Sequence, residues 1–184
     1  MIRFGSLLLL GLVIGSVSVS MFLFIDNLTI DVTSESGEPV QVGDVKFDIQ
    51  FVSNYEILEK KSEYLEFEKD LIVKGISTSE TPDGTYFQIQ ITAHNIGTET
   101  VRITGGQFHL YDSNNTKYDA VFIGYGDDEL SIIDLEPNNS VTVTTQFDIP
   151  YDDQMKYRVG IIPDRYGLQD SQERGFICVK NCQN

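Results

Sequence analysis

The stretch TYFQIQITAHNIGTETVRITGGQFHLYDSNNTKYDA, residues 85–120, decides the fold. Phe87, Ile89, Ile91 and Ala93 alternate with Gln88, Gln90, Thr92 and His94. A period of two describes a strand with one buried and one wet face. Asn95–Glu99 is rich in turn formers, and Val101 and Ile103 then resume the alternation. Gly105-Gly106 interrupts it, and Phe108 and Leu110 restart it before a second turn at Asp112–Asn115. Short strands in quick succession, punctuated by turn residues, predict an all-β, antiparallel sandwich or barrel, of which the sandwich is the reading adopted for the whole chain.

Further segments fit the same pattern on both sides. Val45, Phe47, Ile49 and Phe51 alternate with Lys46, Asp48 and Gln50. Thr81-Pro82-Asp83-Gly84 is a turn before the central strand. Ala120–Ile123 reads as a short apolar strand. Val141, Val143, Thr145, Phe147 and Ile149 form a long one, ended by Pro150, and Tyr157, Val159 and Ile161 form the last. Ser53–Asp83 is less regular: Glu56–Glu63 fits a helical turn, and Tyr64–Glu68 and Leu71–Val73 fit a strand or hairpin. The expected core comprises Phe47, Ile89, Ile91, Phe108, Leu110, Val143, Phe147 and Val159. The expected outward face comprises Gln88, Gln90, Thr92, His94, His109, Tyr111, Thr142, Thr144 and Gln146.

Phe4–Ile25 holds 22 residues without a charge. As a helix it spans about 33 Å, enough for a bilayer core. Arg3 precedes it, and Asp26, Asp31 and Glu35 follow. The asymmetry keeps the N-terminus cytoplasmic and sends the remainder outside. The small residues Ser16–Ser20 leave a cleaved signal peptide open as the alternative, in which case the protein is secreted. The expected organisation is an anchor or signal over 1–26, a stalk or short strand over 27–39, a sandwich over 40–162 and a polar, Cys-containing tail over 163–184.

Thirteen Lys and Arg against 28 Asp and Glu give a net charge of −15. Such a chain repels nucleic-acid phosphates. It has no Trp, two Cys and two His, which leaves few side chains for catalysis. Neither a G-x-S-x-G elbow nor a phosphate-binding glycine loop is present. Ile123-Gly124-Tyr125-Gly126-Asp127 imitates a potassium-channel filter, and Tyr125-Gly126-Asp127-Asp128 a polymerase metal hairpin. The first needs flanking membrane helices and the second a palm domain with affinity for nucleic acid. An acidic loop is the plainer reading. Asp127, Asp128 and Glu129 are hard oxygen donors and the candidate Ca²⁺ ligands, although the spacing of a calcium loop is missing.

The order of these pieces resembles a family of bacterial and archaeal extracytoplasmic domains of unknown function. Val42–Val45 opens a strand, and Tyr86-Phe87 runs to Asn95-Ile96-Gly97 with Glu99-Thr100-Val101 after it. Phe108–Asp112 with Tyr118 follows, then Leu135–Asn138 and Phe147–Pro150. The resemblance covers Val40 to Ile162. It implies a telokin-like, immunoglobulin-like sandwich in secreted or membrane-anchored proteins, akin to a small secreted mycobacterial antigen family. It carries over no catalytic residue.

The expected function is a non-enzymatic binding or structural module at the cell surface, with no cofactor and with a protein partner there. A metal-ion or solute-binding domain is one alternative, and an accessory subunit of a membrane complex is another. His94, His109 and Tyr111 are the candidate binding residues, because interface centres are poor in charge and rich in Tyr. Asn114 and Asn138 open N-x-S/T sequons within turns and are the glycosylation candidates; Asn27 opens a third beside the membrane. Cys178 and Cys182 are expected to pair outside the membrane. Fully extended, five residues hold the two α-carbons roughly 13 Å apart, beyond disulfide reach, so a turn at Lys180-Asn181 is required. An intermolecular bridge, free thiols and a two-thiolate metal site are the other possibilities.

Overall fold

A computed structural model describes residues 30–34, 38–59, 79–168 and 171–182. The expected span Phe4–Ile25, the sequon at Asn27 and the stretches Tyr64–Glu68 and Leu71–Val73 lie outside these residues. Among the described residues, no helix is long and apolar enough to cross a membrane. The chain divides into two compact units, Met1–Ile30 and Asp31–Asn184. The second is built from strands.

In chain order the strands are β1 (Ile30–Ser34), β2 (Val40–Val42), β3 (Val45–Tyr55), β4 (Leu58–Glu59), β5 (Ser79–Glu80), β6 (Thr85–Asn95) and β7 (Val101–Thr104). After a 3₁₀ turn at Gly105–Gln107 come β8 (Phe108–Tyr111), β9 (Lys117–Val121), β10 (Ile132–Leu135), β11 (Ser140–Ile149), β12 (Tyr157–Ile161) and β13 (Glu173–Lys180). Nine of the described strands join in the order β1-β13-β12-β8-β9-β11-β6-β3-β2. β7 pairs with β10, and β4 pairs with β5.

The sheet bends at β9. Residues 117–119 of β9 pair with β8, whereas Ala120 and Val121 pair with β11. That crossing divides the strands into two facing layers, β1-β13-β12-β8 and β11-β6-β3-β2. Phe47 on β3 meets Phe108 on β8 edge-on at 5.8 Å, and Phe87 on β6 meets Tyr157 on β12 at 5.1 Å. The expected core residues all lie in one buried cluster. The alternation explains this directly: Val143, Ile91 and Ile49 sit opposite one another across three strands, so all three turn to the same side.

Gly84 shows how closely the β5–β6 turn approaches β11. A Cβ at this position would lie 2.2 Å from the Ile149 carbonyl oxygen. The Gly84 and Asp83 amides each donate to the Asp148 carboxylate, at 3.0 and 2.8 Å.

The structure corrects four expectations. The segment expected as a polar tail contains β13, paired along its length with β12. Its residues Gly175, Ile177 and Val179 share one face and reach the core, while Phe176 and Cys178 between them break the apolar/polar alternation that would mark a strand. The strand expected at Ala120–Ile123 begins earlier, at Lys117. Leu58–Glu59, within the expected helical turn, forms a strand pair with 79–80. The outward face is also not uniformly wet, since Gln88, Thr144 and Gln146 are buried. A second, smaller cluster of Leu58, Tyr86 and Ile123, with Tyr55, Val121 and Tyr125 packed against it, covers that end of the face.

Candidate functional site

Phe108 and Leu110 point inward, so β8 turns His109 and Tyr111 to the outer side of its layer. The register builds two cross-strand rows there. Lys117, Tyr111, Arg158 and Cys178 form the first, on β9, β8, β12 and β13. Asp119, His109, Gly160 and Phe176 form the second. Gly160 makes room between its neighbours: a Cβ there would lie 2.8 Å from Tyr111 Cε2 and 3.0 Å from Phe176 Cε1. The two rings close over it edge-to-face, 5.9 Å apart.

The Arg158 guanidinium lies 5.5 Å from the Tyr111 ring centre and 5.2 Å from that of Phe176. Its Nη2 donates to Asn115 Oδ1 at 2.8 Å. Each cation–π contact contributes about 0.5–1 kcal/mol at an exposed site. His109 Nδ1 donates to Asp119 Oδ1 at 2.9 Å. Burial lowers the His109 pKa from its ordinary value, Lys117 lowers it further, and Asp119 opposes them. Lys117 and His109 hold the Asp119 carboxyl below the usual range.

His94 does not join this face. In the sheet order β9 and β11 separate β6 from β8, which places His94 on the other layer. Its Nδ1 lies 2.8 Å from Ser140 Oγ and 3.2 Å from the Asn139 carbonyl. The three expected binding residues therefore divide into a pair, His109 and Tyr111, and a separate histidine.

The acidic loop is asymmetric. Asp127 and Asp128 are exposed, but Glu129 is buried. Its Oε1 accepts the Ile123 amide at 2.6 Å and a hydrogen bond from Gln146 Nε2. Its Oε2 accepts the amides of Gly124 at 2.5 Å and Tyr125 at 2.9 Å. The carboxylate thus holds the loop closed from within instead of facing a cation with its neighbours. The Tyr125 hydroxyl bonds to Gln88 and Thr144, and burial pushes this phenol up to about 12. Among the described residues, no group of three or more His, Cys, Asp or Glu side chains converges as a metal site.

Cys178 and Cys182 are joined by a disulfide, with their α-carbons 5.7 Å apart. Asn181 adopts a left-handed φ of 54°, which supplies the required turn. Its side chain donates to the carbonyls of Asp153 and Met155. Lys180 lies over the rings of Phe51 and Tyr151 and pairs with Asp153 at 3.1 Å. Asn114 and Asn138 are both exposed on turns. An open cleft of about 550 Å³ at another place is lined by Asp44, Thr100, Arg102, Asp134 and Ser171 among others. Arg102 grips Asp134 there with two bonds of 2.7 and 3.0 Å.

Sequence reasoning missed Arg158 and Phe176. Arg158 was legible as the outward residue between Tyr157 and Val159. Phe176 was hidden because β13 was not recognised as a strand.

The profile of a domain of unknown function, DUF4352, matches residues 34–169. Several solved structures are similar. The YjhA protein of Bacillus subtilis is 19% identical, with a TM-score of 0.56 over 79% of this chain and 99% of that one. YcdA, a lipoprotein candidate of Bacillus subtilis, is 15% identical, with a TM-score of 0.54 over 82% of this chain and 40% of that one. MPT63, a secreted protein of Mycobacterium tuberculosis, is 13% identical, with a TM-score of 0.47 over 82% and 97% of the two chains. No curated protein matches this chain.

Proposed function

We propose, from the premise that this chain belongs to the DUF4352 family of domains of unknown function, that it is an anchored, extracytoplasmic binding module. In this reading residues 4–25 hold it in the membrane with the N-terminus cytoplasmic. An immunoglobulin-like sandwich then stands outside and engages a protein partner without catalysis or cofactor.

One observation carries the reading. The outer face of β8, β12 and β13 presents Tyr111, Phe176 and Arg158 together, in the residue types that dominate interface energetics. Two further points support it. The disulfide suits an oxidising compartment. The similar YcdA structure is that of a lipoprotein candidate.

Two measurements test it. Protease added to intact spheroplasts should digest the domain; protection until the membrane is opened refutes the topology. Proximity labelling from the cell surface should recover the same neighbours reproducibly, and a folded Tyr111→Ala, His109→Ala double variant should lose them. Unchanged recovery from that variant moves the binding surface elsewhere.

A further inference from the structure

We infer that Arg158 on this face captures a carboxylate of an acidic polypeptide partner. The inference rests on the binding-module reading and names the chemistry of the partner.

The chain carries 28 acidic residues against 13 basic ones, so a cation without a carboxylate stands out. Arg102 pairs with Asp134, Lys117 with Asp119, Arg174 with Asp31 and Lys180 with Asp153. Among the described residues, Arg158 shares the lack of an ion pair with Lys46 and Lys156, but it alone of the three is a guanidinium held against two rings, and it makes one hydrogen bond, to the neutral Asn115.

The Arg158 side chain is also preorganised. Tyr111, Phe176 and Asn115 fix the guanidinium in place, over a glycine that lets the rings close. A guanidinium carries five N–H donors in a planar fork that matches a carboxylate in a bidentate manner. Holding it in advance removes much of the ordering cost of binding.

Arg158 lies over both rings, so they are poorly placed to stack on a sugar. Tyr111, Arg158 and Phe176 project from the outer side of paired strands, where a polypeptide can lie across them. A peptide can bring a single carboxylate to Arg158, whereas a nucleic acid brings a phosphate charge about every 1.7 Å of duplex against a net charge of −15. That same charge repels an acidic peptide at long range, but at physiological salt the field decays over about 8 Å. A direct contact lies well inside that distance.

The test uses the full chain in detergent, labelled on arginine nitrogen. The probes are the blocked peptide Ac-EFEFE-amide and its neutral isostere Ac-QFQFQ-amide. The acidic peptide is expected to bind and to shift the Arg158 Nε–H resonance. The neutral peptide should bind about tenfold more weakly or worse, as loss of a charge-assisted bidentate pair requires. Arg158→Lys keeps the charge and loses the fork, and should also weaken binding about tenfold. Arg158→Gln should abolish binding, while Arg102→Gln should leave it unchanged. Thermal melts establish that the variants fold; if Arg158→Gln does not, Arg158→Lys decides. No binding of the acidic peptide, or equal binding by the Arg158 variants, overturns the inference. Equal binding of both peptides, lost with Tyr111→Ala, overturns the carboxylate and leaves the binding-module reading intact. That reading fails separately, by the cell-surface labelling.

Discussion

Replacing Glu129 with Gln changes almost no volume and should still destabilise the domain severely. The reason is donor–acceptor arithmetic. Oε1 serves the Ile123 amide and Gln146 Nε2, while Oε2 serves the Gly124 and Tyr125 amides. A glutamine keeps one oxygen and can satisfy only one of these pairs. Its amide nitrogen must then face two donors. Two charge-assisted bonds are lost, each contributing about 1.5–3 kcal/mol. The loop can open and admit water, so the expected loss is near the lower sum, about 3 kcal/mol. For a domain of this size that lowers Tm by about 6–12 °C. Urea and thermal melts measure it, with Asp128→Asn as the exposed neighbour, expected within about 0.5 kcal/mol of wild type. A Glu129→Gln variant as stable as Asp128→Asn would refute the reasoning. Calcium at millimolar concentration should leave the wild-type melt unchanged; a rise that Glu129→Gln removes would restore the cation site instead.

Three other outcomes are expected. Opening the Cys178–Cys182 bridge, by reduction or by a double serine variant, should cost about 2 kcal/mol through the entropy of its short loop; alkylation of both thiols in the unreduced native protein would show the bridge is not formed. Gly84→Ala should cost about 1–3 kcal/mol by driving a methyl into the Ile149 carbonyl, read as a lower urea midpoint, and a wild-type midpoint would contradict the close approach. The depressed His109 pKa means that the unfolded chain binds this proton more readily. Stability should therefore rise with pH through the window just below 6.5 and level off above it, a slope that His109→Gln should reduce. An NMR titration placing His109 above its ordinary pKa would reverse that sign.

The strands with clean alternation were legible because each residue's side is set by the residue before it. Phe87 through Ala93 and Val143 through Ile149 needed no knowledge of their neighbours. β13 was not legible in this way. Glu173, Arg174 and Lys180 at its ends make it look like part of a solvated tail, Phe176 and Cys178 blur the alternation, and only pairing with β12 shows which side faces the core.

Alternation and turn residues act over a few positions, and so the sandwich and its core could be read from sequence, whereas the local Cys178–Cys182 bridge was one of several possibilities until the fold paired them. Tertiary structure alone decided which polar residues stay wet. Gln88 and Gln146 alternate correctly and are still buried, because a distant loop folds over their end of the face. It also decided that Glu129 faces inward while Asp127 and Asp128 face out. Strand order, too, set His94 apart from His109 and brought Arg158 between Tyr111 and Phe176. These outcomes depend on which segments, tens of residues apart, come to lie side by side, and local periodicity carries no record of that.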